Sequence, residues 1–120
     1  MQNQDPPNQF ETYQSFPQGE TIFREGEPGD RMYIVAEGQV DILTEGQLLE
    51  TVNAGGILGE MALIDDKPRS ATAIARVDCV LTPISRQHFL TLVERTPLFA
   101  LRVMRVMAER LRRTNTRLPA

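Results

Sequence analysis

The sequence predicts a mainly β protein, an antiparallel barrel or jelly roll, that ends in α-helices. Between residues 20 and 85, short apolar runs alternate with turn residues at intervals of about ten, which is typical of antiparallel β architectures. After residue 85 the apolar residues recur at spacings of three and four, which indicates helices. The 120 residues are one domain's worth of chain and can bury a substantial core.

Six runs between residues 21 and 84 have strand character. They are Thr21 to Arg24, Met32 to Ala36, Val40 to Thr44, Leu48 to Val52, Ala71 to Val77 and Cys79 to Ile84. Gly38 favours a tight hairpin because glycine readily adopts a positive φ, and Glu45 to Gln47 closes the next hairpin. The stretch from 57 to 70 interrupts this pattern.

The start of the chain is predicted to differ from the rest. Residues 1 to 9 are polar after Met1 and are expected to form a disordered arm. Phe10, Tyr13 and Phe16 mark the first ordered segment, and their spacing of three fits a helical turn as well as a twisted strand. We therefore expect one ordered domain over residues 10 to 120, with a roll over about 11 to 85 and helices over about 86 to 116.

Two helices are predicted at the end. Ser85 can cap a helix over Arg86 to Arg95, and Pro97 favours a helix start because proline at the first helical position loses no hydrogen bond. The last helix has an apolar stripe, which consists of Leu101, Met104, Ala108 and Leu111, and it is widened by Val103, Val106 and Met107. The stripe faces the core, a partner helix or a ligand.

Charge and composition exclude several classes of function. The net charge is −3, but residues 102 to 117 carry six arginines against Glu109 alone. A basic segment can contact nucleic acid or a membrane, yet no aromatic residues interleave with these arginines, which favours a solvated helix face. No apolar run is long enough to cross a bilayer, and the polar start cannot be a secretory signal, so we expect a cytoplasmic protein.

The single cysteine and the single histidine argue against catalysis. Cys79 lies in an apolar run, where a buried structural thiol is expected. His88 alone cannot supply the two or three ligands of a metal site, and we expect it on a helix surface rather than in a catalytic dyad. We predict no enzymatic activity, no metal and no cofactor.

The interruption from 57 to 72 contains a candidate anion site. A helical turn is expected to begin at Gly59, whose missing side chain lets a ligand approach the backbone. Arg69 follows Pro68 and can present a fork of donors to a phosphate. Glu60 can accept a hydrogen bond from a sugar hydroxyl. An ordinary surface ion pair between Glu60 and Arg69 explains the same pattern.

Residues 59 to 63, with the sequence GEMAL, and residues 68 to 72, with the sequence PRSAT, resemble the phosphate-binding cassette of the cyclic-nucleotide-binding domains. The similarity extends from about Phe16 to Asn115. It includes Gly19 to Ile22, Glu25-Gly26, Gly29-Asp30, Met32 to Val35, Gly38 to Val40, Asp78 and Leu81, in the order and spacing of that family. The resemblance implies an eight-stranded antiparallel β-roll with flanking helices, which binds cAMP or cGMP inside the roll.

The resemblance also implies a role for each cassette residue. Arg69 pairs with the cyclic phosphate and Glu60 accepts the ribose 2′-hydroxyl. The backbone around Gly59, Met61, Ala62 and Ala71 completes the phosphate cradle. Ser70 contacts the phosphate or a guanine amino group, and Thr72 fits the pattern. In the last helix Thr114 and Asn115 match positions that reach adenine, and Leu111 is expected to contact the nucleotide with Thr114; the sequence favours cAMP.

The chain departs from the family at several points. Leu58 replaces the more frequent Phe, and few residues precede the roll or follow Thr114, so no DNA-binding helix-turn-helix is expected. The expected function is a cyclic-nucleotide sensor that relays occupancy through its C-terminal helix to an unidentified protein effector, with a weak homodimer through that helix. The alternatives are the excised regulatory domain of a channel or transcription factor, and a relative without ligand that serves dimerisation.

Overall fold

Two antiparallel sheets form the first part of the protein. The computed structural model describes residues 13 to 117, with side chains as far as residue 113. Within this range there are eight strands: β1 (Gln14–Phe16), β2 (Thr21–Phe23), β3 (Arg31–Glu37), β4 (Gln39–Thr44), β5 (Gln47–Asn53), β6 (Ile57–Leu58), β7 (Thr72–Ala75) and β8 (Cys79–Ser85). One sheet has the order β1-β8-β3-β6 and the other the order β2-β7-β4-β5. The predicted mainly β fold with an eight-stranded antiparallel roll is confirmed.

Three helices complete the described structure. They are α1 (Glu60–Asp65), α2 (Arg86–Arg95) and α3 (Pro97–Arg117). The chain divides into two compact units, the first ending at Arg86 and the second beginning at Gln87. The first unit holds both sheets and α1, and the second holds α3 and almost all of α2.

The predicted strands agree with the observed ones to within about two residues at each end. The segment around Phe16, which the sequence left open, is strand β1 and pairs with β8; Phe10 lies outside the described residues, as does the predicted arm over residues 1 to 9. Strand β6 was missed because it has only two residues, Ile57 and Leu58. These two residues pair with Tyr33 and Ile34 of β3, which no local pattern reveals.

Two hairpins turn where the sequence predicts. Gly38 has a φ of 93°, and a Cβ there would lie 2.5 Å from the Asp78 carbonyl oxygen, so both conformation and space require glycine. Between β4 and β5 the turn residues Glu45 and Gly46 both have positive φ, 52° and 79°. Two successive positive φ values match the right-handed twist of the strands that they join.

The core of the first unit lies between the two sheets. Its buried members are Phe23, Tyr33, Val35, Val40, Val52, Leu58, Ala73, Ala75, Cys79 and Leu81. The Cys79 thiol is buried as predicted, and its sulfur lies 3.0 Å from the carbonyl oxygens of both Gln39 and Val77, either of which can accept its one proton. Helix α1 packs against β3, which brings the cassette onto the roll.

Of the alternatives for the apolar stripe of α3, the structure excludes the one in which Leu101, Met104 and Leu111 face the core. Leu101, Met104 and Leu111 are 41%, 61% and 62% exposed, whereas Val103 is 2% exposed. The buried face runs through Phe99 and Val103 to the half-buried positions Val106, Met107 and Arg110. Both sets of residues recur at spacings of three and four, so periodicity alone could not tell which faces inward.

The prediction that His88 lies on a helix surface was wrong. It lies on α2 but is 7% exposed, not on the helix surface. Burial lowers the pKa of His88 from its ordinary value of 6.5. The imidazole therefore stays neutral in the folded protein at physiological pH.

Candidate functional site

The cassette begins directly after strand β6, with a tight turn that leads into the short helix α1. Gly59 directly follows β6 and precedes α1, with a φ of 79°, a conformation that side chains other than glycine rarely adopt. The predicted helix start at Gly59 is thus confirmed, and the residue that follows α1, Asp66, has a φ of 60°. Buried Ala62 and Leu63 anchor this helix on the roll.

Arg69 is buried, which argues against the alternative of an ordinary surface ion pair. It is 6% exposed. Its Nη1 donates to the Gly59 carbonyl oxygen at 3.0 Å and its Nη2 to the Arg31 carbonyl oxygen at 2.7 Å. Its Nε is buried with no hydrogen-bond acceptor among the described residues. Arginine carries five N–H donors, so several remain for a ligand.

The backbone on both sides of Arg69 is tied to the turn that follows β2. The Arg69 amide donates to the Glu27 carbonyl oxygen, and the Gly26 amide donates to the Arg69 carbonyl oxygen, both at 2.8 Å. Three residues on, the Thr72 hydroxyl accepts from the Glu25 amide at 2.9 Å. These bonds fix the arginine in space and give Thr72 a structural role.

No carboxylate neutralises the Arg69 charge within the described part of the chain. The ion pairs found there join other arginines to Asp30, Asp41 and Asp66. Burial lowers the pKa of Arg69, while the neighbouring Tyr33 and Asp30 raise it. An arginine stays protonated in proteins, and a buried cation without a counter-charge is costly. The arrangement favours binding of an anion.

Glu60 is the first residue of α1 and is 1% exposed. An ordinary surface ion pair with Arg69 is excluded, because both side chains are buried and no ion pair joins Arg69 to a carboxylate in residues 13 to 113. An ionised carboxylate can accept several hydrogen bonds. Hydroxyl donors of a ligand are suitable partners for it.

Two glycines keep the space around the arginine open. A Cβ at Gly29 would lie 2.7 Å from Arg69 Nε and 2.5 Å from the Cβ of Ala62. A Cβ at Gly59 would lie 2.6 Å from Arg69 Nη1. Gly29 belongs to the family pattern, but its steric role was not predicted. Only the folded structure shows that it borders the guanidinium.

The remaining predicted residues are placed as follows. Met61 is 44% exposed, Ala62 is 4% exposed, Ser70 is exposed, and Ala71 and Thr72 are half-buried. Gly59, Glu60, Arg69 and these residues all belong to the first unit. Leu111 and Thr114 lie on α3 in the second unit, and the side chains of Thr114 and Asn115 are outside the described residues.

Residues that sequence reasoning missed are Phe23 and Arg31. The centre of the Arg69 guanidinium lies 4.1 Å from the centroid of the Phe23 ring, and the Arg31 backbone accepts a hydrogen bond from Arg69. A carbonyl acceptor leaves no trace in the side-chain sequence. Among residues 13 to 117 no group of acidic, histidine and cysteine residues could hold a metal ion, and no helix there is long and apolar enough to span a membrane.

Comparison with known proteins identifies the class. The family model for the cyclic nucleotide-binding domain matches residues 13 to 96, and the chain belongs to this family. Over 108 residues it is 35% identical to the cyclic AMP receptor protein of Thermus thermophilus, which covers 86% of this chain and 50% of that protein. The protein thus spans about half the length of that relative.

Two further similarities agree with this assignment. A cAMP-dependent protein kinase regulatory subunit from Eremothecium gossypii is 41% identical over 71 residues, which covers 59% of this chain and 16% of the subunit. The solved structure of cAMP-bound PfPKA-R aligns with a TM-score of 0.78 at 28% identity, which covers 88% of this chain and 36% of that one. By their names, these relatives are receptors and regulators.

Proposed function

We propose that this protein binds a cyclic mononucleotide and that Arg69 holds the cyclic phosphate. The observation that carries the proposal is a buried guanidinium without a carboxylate partner, whose Nε has no acceptor among the described residues. A cyclic phosphodiester has one negative charge and two exocyclic oxygens, which match two parallel N–H donors of an arginine. The phosphate would supply the negative charge that forms an ion pair with Arg69.

Glu60 would bind the ribose of the nucleotide. Its carboxylate is buried beside the Gly59 turn and would accept a hydrogen bond from the ribose 2′-hydroxyl. The backbone of Gly59, Met61, Ala62 and Ala71 would complete the cradle around the phosphate. Glu60→Gln should therefore weaken cAMP and cGMP alike, but cost little with an analogue whose 2′-oxygen is methylated. An equal loss with parent and analogue would instead assign Glu60 to holding the cassette backbone.

For the base we propose a preference for cAMP. Two relatives with matching sequence carry cAMP in their names, whereas another is a cGMP-dependent protein kinase. The proposed preference rests on Thr114, which would reach the adenine amino group. Exposed Ser70 would serve the phosphate or either base. Competition between cAMP and cGMP measures the preference, and a tenfold preference for cGMP that is lost in Ser70→Ala would overturn this assignment.

We further propose that occupancy is relayed through α3 to a protein effector, in the cytoplasm and without catalysis. Leu111 and Thr114 would contact the nucleotide in one state of α3 only, since a ligand shifts an equilibrium through contacts that differ between states. The exposed side chains of Leu101, Met104 and Leu111 would also support a weak homodimer. The alternatives are a regulatory piece of a larger channel or transcription factor and a dimerisation unit without ligand.

Titration calorimetry with cAMP, cGMP and linear AMP tests the central proposal. Both cyclic nucleotides should bind at one site per chain, and AMP much more weakly. Binding of none of the three would overturn it and favour the dimerisation unit. Amide hydrogen exchange with and without cAMP tests the relay, because protection should rise over residues 104 to 116 as well as over the cassette.

A further inference from the structure

The Arg69 guanidinium lies over the face of the Phe23 ring. Phe23 ends β2 and is 8% exposed. Its ring is stacked on Tyr33, with 6.2 Å between centroids and 24° between planes. The guanidinium carbon of Arg69 lies 4.1 Å from the Phe23 centroid. This distance is well within the roughly 6 Å over which a cation is attracted to the face of a ring.

The guanidinium is therefore held without being neutralised. Its two Nη atoms donate to the carbonyl oxygens of Gly59 and Arg31, and Gly29 approaches Nε closely. A carboxylate in place of the ring would satisfy the cation and compete with an incoming phosphate. An aromatic face and two carbonyl oxygens fix the orientation of the guanidinium without an ion pair, so the cation can still pair with an anionic ligand.

We propose that Phe23 is a positioning residue, which holds Arg69 through its π face in the orientation that receives the phosphate. The contact itself requires no ligand, whereas its consequence for binding rests on the proposed function. If the attraction depends on the electron density of the ring, reducing that density should loosen the arginine even when the size of the ring hardly changes. Simple core packing by Phe23 would not respond in this way.

Stepwise fluorination separates the two roles. Phenylalanine with one, two or three fluorine atoms is placed at position 23, and the same series at Phe16 serves as the control. Phe16 also contacts the Tyr33 ring, edge-on at 6.5 Å and 88°, and it packs against the same core. No cation contact is found for it in the described structure, so fluorine there tests packing alone.

The first measurement is the free energy of unfolding without ligand. Stability should fall with each fluorine at position 23 when Arg69 is present, and this dependence should vanish in an Arg69→Met background. The Phe16 series should show no such dependence on residue 69. A fluorine effect at position 23 that is the same with and without Arg69 would overturn the proposal.

The second measurement is the affinity for cAMP with Arg69 in place, so it needs no Arg69 variant to fold. The affinity should fall steadily along the position-23 series, by about tenfold in total for a desolvated cation–π contact, and stay constant along the Phe16 series. Unchanged or rising affinity at position 23 would refute the positioning role. If the unsubstituted protein bound no cyclic nucleotide, the proposed function would fail, and the unfolding measurement would still decide on the contact.

Discussion

The cassette and helix α3 invert the usual distribution of side chains in opposite ways. In the cassette two charged residues, Glu60 and Arg69, are buried, whereas on α3 Met104 and Leu111 are more than 60% exposed. Buried charges and exposed large apolar groups are more informative than the reverse, because each costs free energy unless something matches it. The cassette is thus suited to a small charged ligand, and the α3 stripe to another apolar surface.

The largest effect is expected from removing the buried cation. Arg69→Ala should lower the cyclic-nucleotide affinity by roughly tenfold to more than a hundredfold, because hydrogen bonds to charged groups contribute about 1.5 to 3 kcal/mol each. It should also lower the free energy of unfolding, since the Gly59 and Arg31 carbonyl oxygens lose their donor. Calorimetry and denaturant unfolding measure the two effects.

Arg76→Ala is the matched control. The Arg76 side chain is 51% exposed and pairs with Asp41 at 3.2 Å, and an exposed ion pair contributes about 0 to 1 kcal/mol. Its removal should leave nucleotide affinity unchanged. If both variants lost affinity equally, general electrostatic attraction and not the cassette would explain binding.

The second-largest effect on nucleotide affinity is expected at Gly59, which borders the Arg69 guanidinium. Gly59 and Gly46 have the same φ of 79°, so alanine should cost about 1 to 2 kcal/mol of backbone strain at either position. They differ in surroundings, because a Cβ at Gly59 meets Arg69 Nη1 at 2.6 Å, whereas a Cβ at Gly46 meets nothing within 4 Å. Gly59→Ala should displace the guanidinium and weaken binding by more than about tenfold.

Gly46→Ala should lose stability alone and keep full affinity, as calorimetry and thermal unfolding of the two variants will show. Equal affinity in both variants would mean that the guanidinium can move aside at no cost. The close fit that distinguishes the cassette from the β4–β5 turn would then be irrelevant to binding.

The sequence predicted the roll better than it predicted the second unit, for a physical reason. Strands such as β3 and β4 are bounded by turn residues, and Gly38 leaves the chain little choice of direction between them. Glu60 and Arg69 were predicted as site residues because they lie in a family pattern, not because their burial could be foreseen. The burial of Arg69 depends on carbonyl oxygens of Gly59 and Arg31, which are distant from it in sequence.

In α3 the sequence offered two apolar faces and no means of choosing between them. The extent of the helix, from Pro97 to Arg117, followed well from its start and its periodicity. The face of α3 that is buried could not be predicted, because Val103 and Met104 are neighbours of similar hydrophobicity and only Val103 is buried. Tertiary packing makes that choice, and no local preference encodes it.

A moderate effect is expected on the α3 stripe. The double variant Met104→Gln and Leu111→Gln should reduce self-association, because it replaces apolar area that a second copy would cover. Glu109→Gln places the same side chain at another exposed position of α3 and should have no effect. Sedimentation velocity over a range of concentrations measures the association. A protein that stays monomeric before substitution would leave the stripe to a different partner.

The smallest effect is expected on the pH dependence of stability, through His88. This residue differs from Arg69 in how burial affects its charge. Arg69 stays charged because the ordinary pKa of a guanidinium lies far above neutral pH, although burial lowers it, whereas burial lowers the pKa of His88 from only 6.5. The unfolded chain therefore binds a proton at His88 more readily than the folded chain does.

Stability contributed by neutral His88 is fully present above about pH 6.5 and declines as the pH falls below it, by at most about 1.4 kcal/mol per pH unit. Thermal unfolding between about pH 7.5 and 5.5, where carboxylates of ordinary pKa remain ionised, should show this decline, and His88→Gln should flatten it. An identical slope in that variant would place the titrating group elsewhere, and the contrast between a charge kept in the cassette and a charge excluded from α2 would no longer hold.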